Sequence, residues 1–188
     1  MNILKAALIS ASLALTPLAA NADSFNFSYS FNTNNTGDGN PLVVTGSLIG
    51  TQSGSFINNV SNVQVFLNGV AFAGPLLIEA WNTTTGNWDN TIAPVISTVA
   101  TQNNFVFADA DVANNPYDAT NYFYMTGGQT LAINFNGSDA NGNAPFGYEP
   151  TVPTSWTLVA APVPEPETYA MLLAGLGLLG GVARRRKA

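Results

Sequence analysis

Residues 24–31 read SFNFSYSF, and their alternation decides the fold. Successive side chains of an extended chain point to opposite sides. Phe25, Phe27, Tyr29 and Phe31 therefore share one face, and Asn26, Ser28 and Ser30 the other. A period of two with one aromatic face is the pattern of a half-buried β-strand. The stretch that follows, Asn32 to Pro41, clusters Asn, Thr, Gly and Asp and reads as a turn-rich connection. Further strand candidates follow at Leu42 to Ile49, Val60 to Leu67, Val70 to Trp81, Val95 to Val99, Asn104 to Phe107, Tyr122 to Met125, Thr130 to Asn136 and Ser155 to Ala160. Asn87, Gly127-Gly128, Asn136-Gly137 and Asn141-Gly142 punctuate them. No window between the two ends of the chain carries a helical period. Many short strands separated by Gly/Asn turns predict an all-β fold: one β-sandwich domain, jelly-roll-like, over residues 23–159.

The aromatic residues divide into two groups. Phe25, Phe27, Phe66, Phe72, Phe105, Phe107, Phe123, Phe135 and Trp156 fall in strand patterns and are the expected core. Trp81 and Trp88 flank the polar stretch Asn82-Thr83-Thr84-Thr85-Gly86-Asn87. They are the candidate stacking faces for sugar rings. The plainer reading is a hairpin with Trp81 buried and Trp88 partly exposed.

Charge and missing residue types narrow the chemistry. The chain of 188 residues has no Cys and no His. Disulfides, thiolate nucleophiles and imidazole bases or ligands are excluded. Lys5, Arg184, Arg185, Arg186 and Lys187 are the only basic residues. The interval between them carries Asp23, Asp38, Glu79, Asp89, Asp109, Asp111, Asp118, Asp139 and Glu149 without one counter-charge. Such a domain cannot neutralise phosphates, which excludes nucleic acid as a partner. Any strong local pairing of its carboxylates needs a bound cation, backbone N–H groups or side-chain amides, and the plainer reading is that most of them are solvated surface charges. Asp109, Asp111 and Asp118 are the candidate calcium ligands, since calcium takes carboxylate oxygens. The loop lacks the acidic pattern and glycine of an EF-hand, and the plainer reading is an acidic, solvated loop. An acid–base pair such as Glu79 with Glu149 would be needed for glycoside hydrolysis, and no motif supports it. No catalytic residue is assigned, and the chain is read as a non-enzyme.

The two ends are targeting segments. Residues 1–22 have the parts of a secretory signal peptide: Lys5 as the positive region, an apolar run from Ala6 to Leu15, Pro17, and Ala20-Asn21-Ala22 as the signal peptidase site. Ala20 and Ala22 are the small residues that the peptidase tests. Residues 160–168 (AAPVPEPET) form a Pro-rich linker that should be extended. Residues 169–183 (YAMLLAGLGLLGGVA) are uncharged and apolar, and read as a transmembrane helix. Residues 184–188 add the basic stop, Arg184, Arg185, Arg186 and Lys187, expected on the cytoplasmic side.

Taken together, Val163-Pro164-Glu165-Pro166-Glu167-Thr168-Tyr169, the apolar run and the basic end closely resemble the PEP-CTERM sorting signal. The same tail is also known as an ice-binding protein C-terminal segment, a label that describes the tail and not the domain. The resemblance implies that an exosortase, a membrane transpeptidase-like enzyme, recognises Pro164, Glu165 and Pro166. The helix and basic end would hold the substrate in the membrane until it is cut near the motif. It further implies a Gram-negative, exopolysaccharide-producing source. The expected function is thus an exported, non-enzymatic protein of the cell envelope, outer surface or extracellular matrix, associated with exopolysaccharide or biofilm. The alternative is a carbohydrate-binding module that uses Trp81 or Trp88, with or without calcium.

Overall fold

In the computed structural model, which describes residues 23–32, 41–113 and 119–162, the opening alternation becomes β1 (Asp23–Ser30). Phe25, Phe27, Tyr29 and the following Phe31 are all buried, as their parity requires. The chain continues through β2 (Val43–Ser53), β3 (Phe56–Leu67), β4 (Val70–Ala71), β5 (Leu77–Asn82), β6 (Asn87–Asp89), β7 (Ile96–Ser97), β8 (Phe105–Ala108), β9 (Asn121–Met125), β10 (Gln129–Asn134), β11 (Phe146–Pro150) and β12 (Trp156–Ala160). The helical turns among the described residues are three short 3₁₀ segments at Ala100–Gln102, Phe135–Gly137 and Pro153–Ser155. The fold is all-β.

The strands form two antiparallel sheets. One runs β12-β1-β2-β3-β4, with β7 also paired to β3; the other runs β11-β10-β9-β8-β5-β6. One hydrophobic core draws on both, so their inner faces pack together. Phe27 of the first sheet stands 5.7 Å from the Phe107 ring and 6.2 Å from the Phe123 ring of the second. Trp156 closes this group at 5.8 Å from Phe27, and its indole N–H donates to the Ser97 carbonyl at 2.8 Å. Two glycines make room for these rings. Gly46 pairs with Phe27 across the sheet, and a Cβ there would overlap the Phe27 ring and the Gln64 carbonyl. At Gly147 a Cβ would come within 2.7 Å of Leu42 and 2.8 Å of Phe31.

Several expectations are corrected. The jelly-roll connectivity is not the one found. Neighbouring strands mostly follow one another in sequence, β1 to β4 in one sheet and β8 to β11 in the other, with β12 returning beside β1. Short turns join β2 to β3, β3 to β4 and β9 to β10, and such turns keep consecutive antiparallel strands side by side in one sheet. Phe135 is 52% exposed because it begins a 3₁₀ turn after β10 has ended. Phe66 is only half-buried, because Val65 and Leu67 on either side of it take the inner face. The candidate strand Val70 to Trp81 is two strands, broken around Gly74, which has φ of +68°. Strand β11 was not expected.

Candidate functional site

The tight hairpin of β5 and β6 positions two tryptophans. Trp81 and Trp88 are directly paired across it, so both project from the outer face of the second sheet. Their rings meet edge to face, 5.5 Å apart at 76°. Both are half-buried. The plainer reading is therefore right about the hairpin, and wrong only in burying Trp81.

Polar side chains fix this hairpin from within. Asn82 Oδ1 accepts the Thr84 N–H at 2.9 Å, and its Nδ2 donates to Asp89 Oδ2 at 3.0 Å. Asp89 Oδ1 accepts the Thr91 N–H at 2.7 Å and the Thr91 hydroxyl at 2.6 Å. The Thr91 hydroxyl, the Asn82 amide and the Thr91 N–H together lower the Asp89 pKa to about 2. Asn104, just before β8, grips the backbone of Trp81. The Trp81 N–H donates to Asn104 Oδ1 at 2.9 Å, and Asn104 Nδ2 donates to the Trp81 carbonyl at 3.0 Å.

A third ring comes from β9. Tyr124 lies 5.2 Å from Trp88 at 54°. Burial, with Tyr148 and Tyr122 nearby, pushes its hydroxyl up to about 12. The β9–β10 turn adds Thr126 and Gln129: the Thr126 N–H donates to the Gln129 carbonyl at 2.8 Å, and the Gln129 N–H to the Thr126 hydroxyl at 3.1 Å. Trp81, Trp88, Tyr124, Thr126 and Gln129 line an open cleft of about 210 Å³. Its walls are aromatic rings, and its polar groups are an amide and hydroxyls. Sequence reasoning found the two tryptophans but missed Tyr124, Thr126 and Gln129. A signal was present in Asn121-Tyr122-Phe123-Tyr124-Met125, whose alternation sends two tyrosines away from the core.

The acidic residues are handled one at a time. Asp109 accepts the Thr120 N–H at 2.9 Å, the Thr120 hydroxyl at 2.7 Å and Asn121 Nδ2 at 2.6 Å. Asp111 accepts the Ala113 N–H at 2.9 Å and Asn90 Nδ2 at 3.3 Å. These two candidate calcium ligands thus serve different partners, and Asp118 lies outside the described residues. Among the described residues, no group of three or more His, Cys, Asp or Glu is placed to hold a metal ion.

Glu79 and Glu149 are both buried. They lie on opposite faces of the second sheet and cannot work as a pair. Glu79 pairs with Val106 on the outer face, under the segment at Val112, whose N–H donates to Glu79 Oε1 at 3.2 Å. Burial raises its pKa; the Val112 N–H opposes this, and the charges of Asp111 and Asp89 reinforce it. Glu149 faces the core. Its Oε1 accepts the Tyr29 hydroxyl at 2.9 Å and its Oε2 the Asn32 N–H at 2.9 Å.

Ala20, Ala22, Pro164, Glu165, Pro166 and the basic stop at 184–187 lie outside the described residues, as does the apolar segment 169–183. No helix among the described residues is long and apolar enough to cross a membrane. No curated protein and no solved structure matches the chain. Residues 162–187, however, match the model of the PEP-CTERM protein-sorting motif. The chain therefore carries at its C-terminal end the sorting signal that an exosortase recognises, which marks it as an exported, surface-associated protein.

Proposed function

We propose that this protein is a non-enzymatic component of the cell surface or extracellular matrix of a Gram-negative bacterium. After sorting, its β domain associates with exopolysaccharide through the Trp81–Trp88–Tyr124 cleft. The sorting motif at 162–187 supports the surface location. The observation that carries the binding role is the cleft itself: three aromatic rings on a polar-pinned hairpin and on β9 of the same sheet, beside a hydroxyl and an amide. Aromatic faces pack on the C–H faces of sugar rings, and neutral polar groups take their hydroxyls, which is how a mostly apolar cleft orients a polar ligand. The separation of Glu79 from Glu149 supports a binding role over hydrolysis. Calcium has no part in this reading.

Co-sedimentation of the envelope-purified protein with the host's own exopolysaccharide tests it. The protein should pellet with the polymer, and Trp88→Ala should remain largely in the supernatant. Equal recovery of both proteins in the supernatant would refute the binding role.

A further inference from the structure

We propose that the cleft selects an uncharged hexose unit and rejects polysaccharides built from uronic acids. This rests on the binding role proposed above and specifies its ligand. Size comes first. A cleft of about 210 Å³ lies below the roughly 300 Å³ at which drug-sized pockets begin, so it suits one ring of a chain, not several. Shape comes next. Trp88 stands at 76° to Trp81 and 54° to Tyr124, so neighbouring walls offer a ring face beside a ring edge. A pyranose presents the matching pair of surfaces: an apolar C–H face and a hydroxylated rim.

The polar lining decides the charge. Thr126, Gln129 and the Tyr124 phenol supply hydroxyls and an amide, none of them positively charged. The Thr126–Gln129 turn bonds fix the backbone of Gln129 before any ligand arrives, so that only its side chain has to be ordered on binding. A uronate entering the cleft would bring a carboxylate that meets only neutral hydrogen-bond donors. No basic residue occurs between Lys5 and Arg184. A charge that loses water without gaining an opposite charge is disfavoured against a neutral sugar. The acidic residues of a domain without one basic residue add repulsion at longer range. A neutral hexose meets neither obstacle.

Fluorescence titration of the envelope-purified protein tests the assignment. Two of its three tryptophans line the cleft, while Trp156 is buried in the core. The probes are neutral hexamers (β-1,4-, β-1,3- and α-1,4-linked glucose, and β-1,4-linked mannose) and, at low salt, hexamers of mannuronate and galacturonate. At least one neutral hexamer should shift the emission, with an affinity insensitive to salt. Trp88→Ala should weaken it at least tenfold. Gln129→Ala, a substitution at an exposed position, should weaken it severalfold without moving the melting temperature. The uronates should give no shift. Uronate binding as tight as that of the best neutral hexamer, with the same dependence on Trp88, would overturn the charge selection and leave the binding role standing. No shift with any hexamer, together with no sedimentation on the native polymer, would overturn both.

Discussion

Removing one oxygen atom from Tyr29 should measurably loosen the whole β domain. Tyr29 is fully buried on the core face of β1, and its hydroxyl joins two distant segments. It donates to Glu149 Oε1 at 2.9 Å and accepts the Val152 N–H at 3.1 Å. Tyr29→Phe keeps the ring but strips Glu149 of one of its two donors among the described residues, the other being the Asn32 N–H. An unsatisfied carboxylate with 5% exposure has little access to water as a substitute. Loss of a hydrogen bond to a charged group costs about 1.5–3 kcal/mol, and the half-buried Val152 N–H adds less than about 1 kcal/mol. The expected total is about 2–3 kcal/mol, or a fall in Tm of roughly 8–12 °C for a domain of this size. Far-UV circular dichroism melts at neutral pH measure it. A double-mutant cycle with Glu149→Leu, which leaves no oxygen to accept the hydroxyl, isolates the pair, and should give a coupling of about 1 kcal/mol or more. A Tm within roughly 2 °C of wild type, or strict additivity in the cycle, would refute the reasoning.

Two further perturbations probe other parts of the account. Glu79 has a folded pKa raised above its ordinary value of 4.5, so folding takes up a proton and stability declines as pH rises from there through the folded pKa. Glu79→Gln should flatten that decline and equal or exceed wild type at neutral pH; urea unfolding at several pH values would show it, and an unchanged slope would count against a protonated Glu79. Gly46→Ala should destabilise by about 1–3 kcal/mol, because its methyl group has to displace the Phe27 ring or the Gln64 carbonyl. A melt indistinguishable from wild type would mean that the ring moves aside freely.

The sequence was readable where structure is local. The parity of residues 24–31 placed Phe25, Phe27, Tyr29 and Phe31 on the core face, since alternation requires only the pleat. Trp81 and Trp88 could be read as a pair because one short hairpin joins them. Partnerships across the fold were not readable. Nothing near Tyr29 announces Glu149, 120 positions away, and β11 hid for the same reason. Its Gly147, Glu149 and Pro150 are poor strand formers by propensity. Yet Gly147 is required by the approach of Phe31 and Leu42, and Glu149 by the Tyr29 hydroxyl. The rest of the cleft shares this difficulty. Tyr124 and Gln129 reach the tryptophans only because β8 lies between β5 and β9, an order that no strand pattern encodes. The partners of the acidic loop were equally out of reach: Thr120 and Asn121 hold Asp109, and Ala113 and Asn90 hold Asp111.

The central claim is that the chain is a sorted surface protein whose tail is removed, and intact-mass spectrometry of the protein from the envelope of its native host tests it most directly. Glu165 is the only charged side chain of the tripeptide Pro164-Glu165-Pro166, so it is the natural contact for a receptor. The mature wild-type chain should begin at Asp23 and end near Pro164–Pro166. A Glu165→Ala chain should begin at the same residue but keep its tail to Ala188 and remain in the membrane fraction. A wild-type chain that still ends at Ala188, with the same mass and membrane association as the variant, would contradict the account.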